Sequence, residues 1–267
     1  MITSLQNHRI KDVVKLLVDT GERRRQNRFV VEGVRELSVA IEGGYVILDL
    51  FVCDEFLNMV GEGLICKLDV TVEKISAEVF SKMAYRERSD GIIAVLAAKR
   101  LSLDLVQLSD CPFVIMLEAV EKPGNLGAIL RTADAARVDA VIVCDPITDI
   151  YNPNIIRSSI GCVFTQQIVA CTSNQALQWL QQKGISVFAA ELTASELYYE
   201  TDFTKPSAII MGAEADGLTD YWLRNAEHRI KIPMLGNADS LNVSVSTAVI
   251  TFEAMRQRKN GLATKTI

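Results

Sequence analysis

The chain has 267 residues, 49% hydrophobic and 23% charged, the balance of a globular protein of one large or two modest domains. No apolar run reaches membrane-spanning length and "MITSLQNHRIKDVV" has no signal-peptide core, so a cytoplasmic protein is expected. Six cysteines without a C-x-x-C pair are expected as buried free thiols, two distant histidines argue against a His-ligated zinc site or a Ser-His-Asp triad, and a net charge of −5 gives no general pull toward nucleic acid.

In chain order, "SLQNHRIKDVVKLLVDTGERRRQN" reads as one amphipathic helix with Ile10, Val13, Val14, Leu17 and Val18 as its stripe. Its end is cationic. Residues 1–35 carry eight basic against four acidic groups, including Arg23, Arg24, Arg25 and Arg28. That run is either a surface for phosphate contact or a solvated helix end. "RFVVEG" is a strand, "VRELSVAIEGG" a helix stopped by Gly43 and Gly44, and "VILDLFVC" a strand. A helix-like stretch follows, then strands "DVTVEKIS" and "DGIIAVLAAK". This first unit, residues 1–100, reads as a small α/β or α+β domain, and residues 101–110 as a linker.

The remainder, 111–267, alternates regularly. "PFVIMLEAV" is a continuous apolar strand, followed by a helix over about 126–137 and the strand "DAVIVCD". Helices "NPNIIRSSIG", "NQALQWLQQKG" and "DYWLRNA" alternate with strands "FTQQIVA", "ISVFAAE", "SAIIMGAE" and "HRIKIPM". "NVSVSTAVITFEAMRQRK" is the last helix. Strands apolar on both faces, alternating with helices, predict an α/β fold with a mostly parallel sheet covered by helices.

Three strand ends run into Gly/Asn/Ser-rich loops: "EKPGNLGAILRTADAA" (121–136), "IIMGAEADGL" (209–218) and "IPMLGNADSLNVSVSTA" (232–248). Strand C-terminal ends of a parallel sheet converge on one edge, so the three predict one composite pocket. The first loop imitates a Rossmann turn, with Asp145 about 20 residues on, but only Gly124 and Gly127 of the three glycines are present. A Walker loop is absent.

Together, these three segments resemble motifs 1, 2 and 3 of the SpoU (TrmH-like) RNA ribose 2′-O-methyltransferases of the SPOUT superfamily, over about residues 112–258. The front segment, with "RFVVEGVRELSVAI", resembles the L30e-like RNA-binding domain of the ribosomal-RNA members. The resemblance implies a C-terminal deep trefoil knot, a homodimer, and S-adenosylmethionine as cofactor. It also implies methyl transfer to a ribose 2′-OH, most readily of 23S-type ribosomal RNA. The methyl group arrives on a sulfonium, so no metal is called for. An interface role suits the final helix, whose Val245, Ala248, Val249, Phe252 and Met255 form one stripe; plain core packing is the other reading.

By the same resemblance, Gly212, Ile232, Met234 and Leu241 hold the cofactor, Gly212 by letting the backbone approach closely. Asn125, Arg131, Glu214, Ser240 and Asn242 form the catalytic set. Helix capping is the competing role for Ser240 and Asn242. Arg131 acts either in activating the 2′-OH or as a bidentate grip on an RNA phosphate, the latter suiting a guanidinium that keeps its proton. Arg157 matches a substrate-facing arginine, against a plain surface charge. The sequence departs from the family at Ala215 and Arg137, where glycine is common. A non-catalytic RNA-binding or ribosome-assembly protein on the same scaffold, and a transfer-RNA methyltransferase, are the alternatives.

Overall fold

A computed structural model of the chain describes residues 1–85, 90–214 and 216–258. It divides into two compact units, Met1–Arg100 with Asp149–Thr165, and Leu101–Thr148 with Gln166–Ile267. The chain therefore leaves the second unit at residue 148, contributes a segment to the first, and returns.

The first unit holds α1 (His8–Val18), α2 (Thr20–Gln26), β1 (Arg28–Glu32), α3 (Val34–Glu42), β2 (Ile47–Val52), α4 (Met59–Ile65), β3 (Val72–Lys74), α5 (Ala77–Met83) and β4 (Ile92–Ala97). Its sheet runs β1-β4-β2-β3, with β4 antiparallel to both neighbours and β3 parallel to β2. The single long helix expected at the N-terminus is two. Asp19 is extended at φ −111°, and its carboxylate accepts from the N–H groups of Gly21 and Glu22, capping α2. The core face of α1 is Ile10, Val13 and Leu16, while Val18, placed in the expected stripe, is 79% exposed.

The inserted segment carries α7 (Pro153–Ser158), capped by Asn152. Asp149 and Tyr151 seat the segment on its own unit. Asp149 pairs with the buried Arg23 at 2.6 Å. Tyr151 stacks on Phe29 with ring centroids 4.2 Å apart, and its hydroxyl donates to the Lys99 carbonyl at 2.6 Å.

The second unit holds β5 (Phe113–Glu118), α6 (Pro123–Ala136), β6 (Ala140–Cys144), β7 (Ile168–Cys171), α8 (Ser173–Lys183), β8 (Ser186–Ala190), β9 (Glu196–Leu197), β10 (Ser207–Met211), α9 (Asp220–Asn225), β11 (His228–Lys231) and α10 (Val243–Arg258). The sheet order is β7-β6-β5-β10-β8-β11-β9, and every pairing is parallel. Every residue of β5, β6 and β10 is buried, as both-face coverage by helices requires. The end of the expected last helix, Lys259, lies outside the described residues. Of the six thiols, Cys53 and Cys144 are buried but Cys66 is exposed at the end of α4; the others are half-buried.

Candidate active site

Parallel strands β5, β10, β8 and β11 end on one edge of the sheet, and the loops leaving them surround a cavity of about 610 Å³. That volume suits a nucleoside-sized ligand, within the roughly 300–1,000 Å³ of small-molecule sites. Gly212, Ile232, Met234 and Leu241 line it, as do Glu214, Ser240 and Asn242.

The three glycine-bearing segments meet at one carboxylate. Asn125 Nδ2 donates to Glu214 Oε1 at 2.5 Å, and Asn242 Nδ2 donates to the same oxygen at 2.8 Å. Asn242 Nδ2 also donates to Asn125 Oδ1 at 3.2 Å. The Lys122 ammonium pairs with Glu214 Oε2 and, with the Asn125 amide, holds the Glu214 carboxyl below its ordinary pKa. Glu214 is thus an ionised acceptor that ties segments 1, 2 and 3 together. Lys122 is a site residue that the motif pattern does not mark; its signal in the sequence is a cation three residues before Asn125.

Local structure explains how each group is held. Pro123 is the first residue of α6, where its missing N–H costs nothing, so Gly124 and Asn125 belong to the helix and not to a loop before it. The Lys122 carbonyl accepts from the Asn125 and Leu126 N–H groups. Asn242 Oδ1 accepts from the Ser244 N–H at 2.9 Å and its hydroxyl at 2.6 Å, so Asn242 caps α10 and serves the site with opposite ends of one amide. Ser240, two residues ahead of that cap, is exposed on the cavity wall.

The second segment folds back at a tight loop in which Ala213 and Gly217 exchange both backbone hydrogen bonds. A Cβ on Gly212 would stand 2.2 Å from the Gly217 carbonyl carbon and 2.4 Å from the Leu218 nitrogen. The close approach that demands glycine is therefore by the protein's own backbone, a different reason from the one expected. Buried Glu118, the last residue of β5, fixes the far end of this loop by accepting from Thr219 N and Oγ1 at 2.8 and 2.7 Å. Ala215 lies outside the described residues. Arg137 ends α6 in the left-handed region, φ 53° and ψ 48°, the conformation that favours glycine.

Arg131 is exposed on α6 and outside the cavity wall. Six residues of helix turn it about 120° away from Asn125 and move it about 9 Å along the axis. Arg23 is 4% exposed; its guanidinium donates to Asp149 Oδ2, the Leu16 and Leu17 carbonyls and Thr20 Oγ1. A guanidinium so occupied is a structural clasp, and Arg23, contrary to expectation, is committed to the protein's own acceptors rather than to RNA. Arg24 and Arg25 are exposed, Arg25 pairing with Glu22 at 2.6 Å; Arg28 is half-buried, and Arg157 is exposed on α7 within the same unit.

The profile of the SpoU rRNA methylase family matches residues 112–252, over half the chain. The chain belongs to the SpoU rRNA methylase family. An MRM3-like substrate binding domain matches residues 7–94. The Bacillus subtilis 23S rRNA (guanosine(2553)-2′-O)-methyltransferase RlmP is 29% identical over 253 residues, 94% of this chain and 97% of its own. The 23S rRNA (guanosine-2′-O-)-methyltransferase RlmB of Vibrio parahaemolyticus is 32% identical over 211 residues, 77% of this chain and 85% of its own. The crystal structure of the SpoU methyltransferase AviRb from Streptomyces viridochromogenes in complex with AdoMet matches with a TM-score of 0.88 at 26% identity, over 96% of this chain and 100% of that one. The α/β fold with its parallel sheet is the family's own.

Proposed function

We propose that this family member transfers a methyl group from S-adenosylmethionine to a ribose 2′-OH of RNA, in 23S-type ribosomal RNA. The observation that carries the reading is the single carboxylate, Glu214, gripped by Asn125, Asn242 and Lys122 at the cavity where the three family segments meet.

The cavity fits the cofactor. Its wall joins apolar Ile232, Met234 and Leu241, for an adenine ring, with peptide groups lying past the end of β11, where sheet pairing has stopped. When bound, S-adenosylmethionine supplies an electrophilic methyl group on a positively charged sulfur. The chain's own part is positioning and electrostatics. Glu214, kept ionised by Lys122, orients the amides of Asn125 and Asn242 beside Ser240. The role of Arg131 is to grip an RNA phosphate and place the 2′-OH, which the planar fork of N–H donors of a guanidinium suits.

Residues 1–100 recruit the RNA and residues 111–267 carry out transfer, with the segment around α7 belonging to the recruiting unit. Arg24, Arg25, Arg28 and Arg157 supply its phosphate contacts. The reading includes a cytoplasmic location, supported by the ribosomal RNA substrate. The reading includes a C-terminal trefoil knot and a homodimer. For the dimer, the support is α10. It buries Val243, Thr247, Ile250 and Ala254, and leaves Val245 and Phe252 46% and 50% exposed on its other side, flanked by half-buried Ala248, Val249 and Met255.

Calorimetry tests the cofactor: S-adenosylhomocysteine binds and NAD does not, and the reverse result sinks the reading. Arg131→Ala abolishes methyl transfer with cofactor affinity nearly unchanged; retained turnover rejects its role.

A further inference from the structure

The cavity has a wall that none of the three family segments supplies. In the sheet, β8 lies between β10 and β11. Its C-terminal end therefore emerges between the loop that follows β10 and the loop that follows β11. Ala190, Glu191 and Leu192 all line the cavity there. Glu191 is the first residue past the strand, and its N–H donates to the Ile230 carbonyl at 3.0 Å, which fixes its backbone.

Its side chain is held as firmly. The side chain is 12% exposed, and its carboxylate pairs through Oε1 with Arg229 Nε and accepts through Oε2 from Thr193 Oγ1 at 2.9 Å. Arg229 keeps the carboxyl below its ordinary pKa, so it stays ionised at neutral pH. An ionised carboxylate has about four acceptor sites, and these two donors leave about two unused. The other acids of the wall are differently placed. Glu214 is committed to Lys122, Asn125 and Asn242, and Asp216 is exposed in the tight loop.

A nearly buried carboxylate with spare acceptors in a ligand cavity calls for a ligand with hydroxyl or amine donors. A nucleoside offers two on adjacent carbons. A carboxylate at a strand's C-terminal end is the physical solution used for ribose hydroxyls in other parallel sheets. We infer that Glu191 accepts hydrogen bonds from the ribose hydroxyls of the cofactor's adenosine, which makes it a specificity residue outside the three family segments. The assignment rests on the cofactor reading above.

Calorimetry on the full chain tests it with S-adenosylhomocysteine, its 2′-deoxy and 3′-deoxy ribose analogues, and S-adenosylmethionine. The wild-type protein binds at least one deoxy analogue about tenfold or more weaker than S-adenosylhomocysteine, the scale of one hydrogen bond to a charged group. Glu191→Gln binds S-adenosylhomocysteine more weakly and discriminates against that analogue less than about twofold, because the charged acceptor is gone. It weakens S-adenosylmethionine and S-adenosylhomocysteine by the same factor. Wild-type protein that binds both deoxy analogues as tightly as the parent overturns the assignment, whether or not the variant folds. So does a variant that keeps the discrimination. A variant that loses S-adenosylmethionine far more than S-adenosylhomocysteine overturns it too, assigning the carboxylate to the sulfonium charge. Failure of wild-type protein to bind S-adenosylhomocysteine at all is a distinct result: it removes the cofactor reading, and this assignment with it.

Discussion

Asn242 Nδ2 donates to Glu214 Oε1 at 2.8 Å while the other end of the same amide caps α10. The two duties are separable. Asn242→Asp keeps the cap acceptor but removes the donor and sets a second carboxylate against Glu214. Asparagine and aspartate cap about equally, so thermal unfolding stays close to wild type while turnover falls by about 100-fold or more. Asn242→Ala loses both and also costs about 1 kcal/mol of stability. Calorimetric unfolding beside single-turnover kinetics checks this; an Asp variant with near-normal turnover contradicts it.

Arg23 and Asp149, buried side chains 2.6 Å apart, hold the inserted segment to the first unit. Asp149→Ala leaves a buried guanidinium without its counter-charge and costs about 3–5 kcal/mol, read by denaturant unfolding. Exposed Arg24 behaves in the opposite way. Arg24→Gln leaves stability within about 0.5 kcal/mol. It weakens RNA binding and reduces its salt slope by about one. If Arg24→Gln changes neither affinity nor slope, the basic run at α2 is a solvated surface.

Gly212→Ala forces a Cβ into the Gly217–Leu218 backbone, which is not a flexible neighbour. The loop must move, so S-adenosylhomocysteine affinity drops by about tenfold or more with the fold retained, since the displaced atoms form the cavity wall. Gly124→Ala meets no atom within 4 Å and leaves that affinity unchanged. Equal effects from the two substitutions would count against the packing reason given for Gly212.

Arg137 sits left-handed at the end of α6. Arg137→Gly removes that strain, partly offset by the greater freedom of glycine in the unfolded chain, for a net gain of about 0.5–1 kcal/mol. Denaturant titration measures it, and a loss of stability contradicts the assigned geometry.

The sheet was legible because β5, β6 and β10 are unbroken apolar runs, a pattern only strands covered on both faces need. The convergence of Gly212, Glu214, Ser240 and Asn242 followed from it, since parallel strands deliver their loops to one edge. What escaped depended on partners distant in sequence. Three consecutive arginines look alike, yet α2 turns Arg23 inward to an aspartate 126 positions away. Nothing in "YNPNIIRSSIG" marks it as part of the first unit; that follows from Tyr151 finding Phe29 and Lys99. Asp19 interrupts a good amphipathic pattern through its own capping bonds. Asn125 and Arg131, read as a pair, are separated by helix geometry.

The most direct test incubates the full chain with ribosomal RNA and S-adenosylmethionine carrying a labelled methyl group, then digests the RNA to nucleosides for mass spectrometry. Label is expected in a single 2′-O-methylated nucleoside, reduced about 100-fold or more with Asn242→Asp and absent with Arg131→Ala. Label on a base, or no label from a protein that binds S-adenosylhomocysteine, contradicts it.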